Sequence, residues 1–112
     1  MKLKCLLAAA CAAPLLLAMP ALAADEVKLE LSLKDHVFTP SELLVPAGKV
    51  VLLTVRNDDP TPEEFDSHDL RVEKVIAGGT QAVVRIGPLD PGHYSFMGEY
   101  NEATAHGLVT AQ

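Results

Sequence analysis

From Val27 onward the chain repeats one pattern: short runs with an apolar side chain at every second position, cut off by Pro, Gly and Asp. Val27-Lys28-Leu29-Glu30-Leu31-Ser32-Leu33 is the longest strict alternation. Period two marks a strand with one buried face. Val37-Phe38 ends at Pro40, and Leu43-Leu44-Val45 runs into the turn Pro46-Ala47-Gly48-Lys49. Residues 49–57 are rich in β-branched side chains and lack helix caps, so they read as a central strand. Residues 80–86, 93–98 and 107–111 read as later strands, separated by Gly78-Gly79 and Pro88-Leu89-Asp90-Pro91-Gly92. Strands at this spacing, with no amphipathic helix between them, predict an all-β fold, an antiparallel Greek-key β-sandwich.

Residues 58–67 break the pattern. They hold two prolines and five acids, with Phe65 as their one apolar side chain. This reads as a long loop, and long ordered loops tend to carry function. The loop feeds an expected strand over residues 68–73 that turns His68, Leu70 and Val72 inward. An imidazole buried at a strand end needs a hydrogen bond or a metal.

The N-terminus has a different character. Lys2 and Lys4 precede an apolar run from Cys5 to Ala18, and Ala21-Leu22-Ala23 has the small-residue pattern of a cleavage site. Residues 1–23 are read as a cleaved secretory signal, leaving residues 24–112 as one exported, periplasmic domain with no membrane anchor. The apolar run falls short of the ~20 residues a membrane span needs. Both cysteines, Cys5 and Cys11, leave with the signal. Cleavage removes two of the 9 basic residues and none of the 15 acids, for a net charge of about −8. That charge argues against nucleic acid and anionic lipid as partners and for cations or a basic protein surface. A domain of this length has room for one sandwich core.

Candidate chemistry rests on histidines and acids. His36 and His93 lie beside turns and read as solvated. His68, at the mouth of the acidic loop, is the strongest candidate ligand, with Glu63, Glu64 and Asp66 beside it. Gly92-His93-Tyr94-Ser95-Phe96-Met97-Gly98 resembles the copper-loop signature of the cupredoxins, G-x-Y-x-F-x-C-x-x-H-x-x-x-x-M. The resemblance implies one His ligand from an earlier strand and a Cys, a second His and a Met from the loop. It puts His68 at the early His, Gly98 at the Cys, Asn101 at the second His and His106 at the Met. Without the thiolate there is no blue-copper centre.

The chain resembles more nearly the small periplasmic cupredoxin-like proteins associated with bacterial iron uptake. Phe38-Thr39-Pro40, Val45-Pro46-Ala47-Gly48-Lys49, Arg56-Asn57-Asp58, the acidic segment ending Ser67-His68-Asp69-Leu70, Gly87-Pro88-Leu89 and Gly98-Glu99-Tyr100 carry this resemblance. It implies work beside a periplasmic iron-binding protein and an iron permease, with copper helping to oxidise ferrous iron. Asn101 stands where such proteins commonly have His.

The expectation is therefore a metal-binding protein holding copper or iron through His68, Glu64, Asp66, Met97, Glu99 and His106. Imidazole with carboxylate suits Cu(II), Fe(II), Mn(II) and Zn(II), and Met adds affinity for Cu(I). Any catalysis would be metal-mediated, ferroxidase-like electron transfer, since no hydrolase or transferase constellation is visible. The rival expectation is a metal-free sandwich that serves as an interaction module, its copper site decayed.

Overall fold

A computed structural model of the chain describes Ala13, Pro14 and residues 26–112. Apart from Ala13 and Pro14, the expected leader, with Cys5 and Cys11, lies outside the described residues. Nine strands follow in order: β1 Val27–Lys34, β2 Val37–Thr39, β3 Glu42–Val45, β4 Val51–Asn57, β5 Glu63–Ser67, β6 Val72–Ile76, β7 Gln81–Ile86, β8 Gly92–Gly98 and β9 His106–Ala111. One sheet has the order β2-β1-β4-β7 and the other β3-β9-β8-β5-β6. Among the described residues no helix is long and apolar enough to cross a membrane.

The expected β-sandwich is present, with one difference in strand direction. β1 pairs with β4, and β3 with β9, in parallel; the other pairs are antiparallel. The chain leaves the first sheet after β2, lays β3 in the second, and returns for β4, which therefore runs alongside β1 in the same direction. Local period-two patterning sets which face is buried and is blind to which strand lies alongside.

The inward faces interlock around Leu31, Leu33, Val51, Leu53, Val55, Ile86 and Val109, all buried. Phe38, Phe65 and Phe96 meet at their centre, with ring centroids 5.2–6.1 Å apart. Such contacts add to the burial of the rings themselves. Phe65 comes from β5 and Phe96 from β8, so this cluster fixes the two strands that carry the candidate site.

The acidic segment departs most from expectation. Residues 63–67 form strand β5, with Glu63, Phe65 and Ser67 buried and Glu64 and Asp66 half-buried between them. Residues 68–71 form a turn, and the next strand begins at Val72. His68 is consequently exposed and does not share a core face with Leu70. The segment reads as a loop because two of its three inward positions are polar. Ser67 satisfies its hydroxyl by donating to Ser95 O at 2.6 Å and accepting from Leu70 N at 3.0 Å, which makes its burial tolerable.

Candidate metal site on the outer face of the five-stranded sheet

With Phe65 pointed inward, Glu64 and Asp66 project from the outer face of the sheet. Asp66 pairs across the ladder with Met97 of β8, and Met97 pairs in turn with His106 of β9. Directly paired residues share a face, so Asp66, Met97 and His106 form a row across three adjacent strands. Glu73 of β6 extends the row on the other side of Asp66. Beyond Gly98 the chain tightens into a 3-10 turn, Glu99–Asn101, which carries Glu99 over the same face.

One oxygen from each of Glu64, Asp66 and Glu99 lies within 4.8 Å of the others. Oxygens bound to a common divalent cation at about 2.0–2.6 Å stand at such separations. The crowding shows in the protonation of Glu64. Its carboxyl is raised above the ordinary carboxylate range, first by a hydrogen bond with Glu99, then by partial desolvation and by the negative charges of Glu99, Glu73 and Asp66. The Tyr100 hydroxyl at the rim is raised too, by desolvation and then by the charges of Glu64 and Glu99. A divalent cation bound by the three carboxylates would offset most of the negative charge that crowds Glu64.

The other sequence candidates take varied positions. His68 opens the turn after β5 and lines a shallow recess with Asp66, Ser67, Arg71, Val72 and Glu73. It is a neighbour of Asp66 along the chain and not a core residue. His106 is exposed at the far end of the Asp66–Met97 row. His93 contacts Thr110 through Nδ1 at 3.0 Å, and His36 sits in the β1–β2 hairpin turn; neither belongs to the carboxylate group.

Glu63, named with its neighbours in the sequence but left out of the expected ligand set, is the best-held acid of the group. It is 2% exposed. Its Oε1 accepts from Tyr100 N at 2.8 Å and Glu64 N at 3.1 Å, and its Oε2 accepts from the Asn101 side-chain amide. The available signal was phase: once Phe65 is inward, so is Glu63.

Glu63 also decides whether an interior copper centre fits. A Cβ added to Gly98 would stand 2.6 Å from Glu63 Cδ and 2.8 Å from Ala105 Cβ. The two positions that the resemblance assigns to the Cys and the second His are thus packed against, and hydrogen-bonded to, a buried carboxylate. A thiolate-ligated interior copper does not fit these residues.

A family model described as a cupredoxin-like domain matches residues 7–111. An uncharacterized protein of Rickettsia prowazekii is 35% identical over 83 residues; the match covers 74% of this chain, which spans 66% of that protein's length. Among solved structures, auracyanin B superposes with a TM-score of 0.68 at 15% identity, over 80% of this chain and 90% of that one. The metal-binding domain of a Cu(I)-exporting P-type ATPase of Streptococcus pneumoniae, solved with Cu(I), gives 0.63 at 16% identity, over 80% and 97%. A purple cupredoxin from Nitrosopumilus maritimus gives 0.58 at 19%, over 75% and 99%. These structural likenesses establish the fold.

Proposed function

The chain belongs to the cupredoxin-like domain family, and from that premise we propose that it is an exported metal-binding protein whose metal sits on the outer sheet face. The observation that carries this reading is the convergence of Glu64, Asp66 and Glu99, brought together from β5 and the 3-10 turn. Met97 and His106 lie in the cross-strand row beside Asp66, and His68 opens the turn on the other side; these are softer side chains that border the carboxylates.

Copper is the metal we assign. Carboxylate and imidazole suit Cu(II), and the thioether adds affinity for Cu(I). Structural neighbours include a domain solved with Cu(I) and a purple cupredoxin. Bound copper would supply one-electron chemistry, with ferrous iron as the donor substrate. The chain's own part is to bind and orient the cations through Glu64, Asp66 and Glu99, with no nucleophile or general base. The iron role rests on the motif resemblance, as do a periplasmic iron-binding protein and an iron permease as partners; periplasmic location rests on the leader pattern.

A second reading, a metal-free interaction module, draws support from the interior centre that Glu63 closes. Cu(II) titration of the mature protein separates the two. On the metal-binding reading the melting temperature rises with Cu(II) concentration, because a ligand of the native state stabilises it by mass action. The visible band stays weak, since no thiolate is present for charge transfer. An unchanged melting temperature favours the interaction module.

A further inference from the structure

The β5–β8 ladder pairs Phe65 with Gly98 and Asp66 with Met97. Glu99 lies one residue beyond Gly98, in a turn that the ladder does not hold. What joins this turn to β5 is Glu63. A single oxygen, Oε1, accepts both the N–H of Glu64 and the N–H of Tyr100, so the backbones that flank the Glu64–Glu99 contact are registered on one atom. The second oxygen takes the Asn101 side chain. The turn is closed from its other side by Ala105 N and Thr104 N donating to Asn101 O, and by Gly98 N donating to Ala105 O.

Resting on the outer-face reading above, we infer that Glu63 is the positioning residue of that site. Its buried carboxylate ties β5 to residues 99–101 from inside the sandwich, so that Glu99 meets Glu64 and Asp66 outside it. Glu63 does not ligate the metal: adjacent strand residues project to opposite faces, and its oxygens are engaged by three donors. Gly98 is part of the device, because any side chain there would displace the carboxylate. The tie joins an early strand to the loop after β8, as the ligands implied by the cupredoxin resemblance would, with hydrogen bonds in place of coordination.

The test uses the mature protein with Glu63→Ala, Glu63→Gln and Asn101→Ala, and two readouts: amide hydrogen exchange at Tyr100 without metal, and Cu(II) affinity by calorimetry. In Glu63→Ala, the Tyr100 amide should exchange at least about tenfold faster while β1 and β4 amides keep their protection. Cu(II) binding should weaken about 10–100-fold, the usual cost of losing a group that orients ligands. Glu63→Gln should recover most of both, since its carbonyl oxygen still accepts the two N–H groups and Asn101 can turn its amide to match. Asn101→Ala should fall between and carries both readouts should Glu63→Ala fail to fold.

Wild-type affinity and wild-type Tyr100 exchange in Glu63→Ala would overturn the inference. So would a Glu63→Gln protein that behaves like Glu63→Ala, because charge rather than position would then be at stake. If the wild type binds no Cu(II), the outer-face reading falls, and Tyr100 exchange still decides whether Glu63 holds the turn.

Discussion

Glu63 and Gly98 are fitted to each other: a single methyl group on the glycine would reach 2.6 Å from the carboxyl carbon. The buried acid is accommodated because Gly98, which pairs with Phe65 at the end of the β5–β8 ladder, has no side chain. Interior space that a thiolate would need is taken up by a hydrogen-bonded carboxylate.

Gly98→Ala should therefore destabilise the protein by about 1–3 kcal/mol, the usual cost of an extra methyl in a packed interior. Denaturant unfolding measures it. Adding the same change to Glu63→Ala should cost distinctly less than in the wild type, since contacting residues couple in double-mutant cycles. Equal costs in the two backgrounds would mean that the residues are independent.

Asp59 should make stability depend on acid. Burial alone would raise its carboxyl, but the backbone N–H groups of His36 and Asp35 outweigh this and hold it below the ordinary range. Those bonds, at 2.9 and 2.7 Å, also secure two residues with φ of 59° and 52°, as a tight hairpin turn of this hand requires. A lowered folded-state value contributes stability that is present above the unfolded value, about pH 3.9, and lost as pH falls through the folded one. The stability gap between wild type and Asp59→Asn should be full at neutral pH and shrink below about pH 4. A gap constant across this range would contradict the assignment.

Glu99→Gln should separate stability from binding. The raised Glu64 carboxyl has the opposite sign to Asp59: its favourable contribution is present below the unfolded carboxylate value and is lost as pH rises through the folded one. At neutral pH the cluster is a liability in the metal-free protein. Removing the Glu99 charge should raise the apo melting temperature at pH 7, with the gain fading in acid, while Cu(II) affinity drops by about tenfold or more. A loss of apo stability at pH 7 would show that the carboxylates do not repel.

Much of the fold was legible where burial and polarity agree. β1 and β4 place Leu31, Leu33, Val51, Leu53 and Val55 inward; the alternation of the first and the β-branched run of the second are visible in sequence. β5 was not legible, because Glu63 and Ser67 are buried polar residues whose partners, Asn101 and Ser95, lie about 30 or more residues away. That misreading displaced the phase of everything up to β6 and turned His68 from an exposed turn residue into an expected core ligand. Glu64, Asp66, Met97, Glu99 and His106 were visible as candidate donors from their chemistry. Their placement on one outer face depends on cross-strand register, which no local pattern specifies.

The central claim is that three carboxylates hold the metal on the outer face. Calorimetric titration of Cu(II) into wild type, Asp66→Asn/Glu99→Gln and His68→Ala tests it most directly. The carboxylate variant should lose most binding, by well over about tenfold in affinity, while His68→Ala should retain affinity close to the wild type. Wild-type binding by the carboxylate variant, together with loss of binding in His68→Ala, would contradict the account and return the site to the turn after β5.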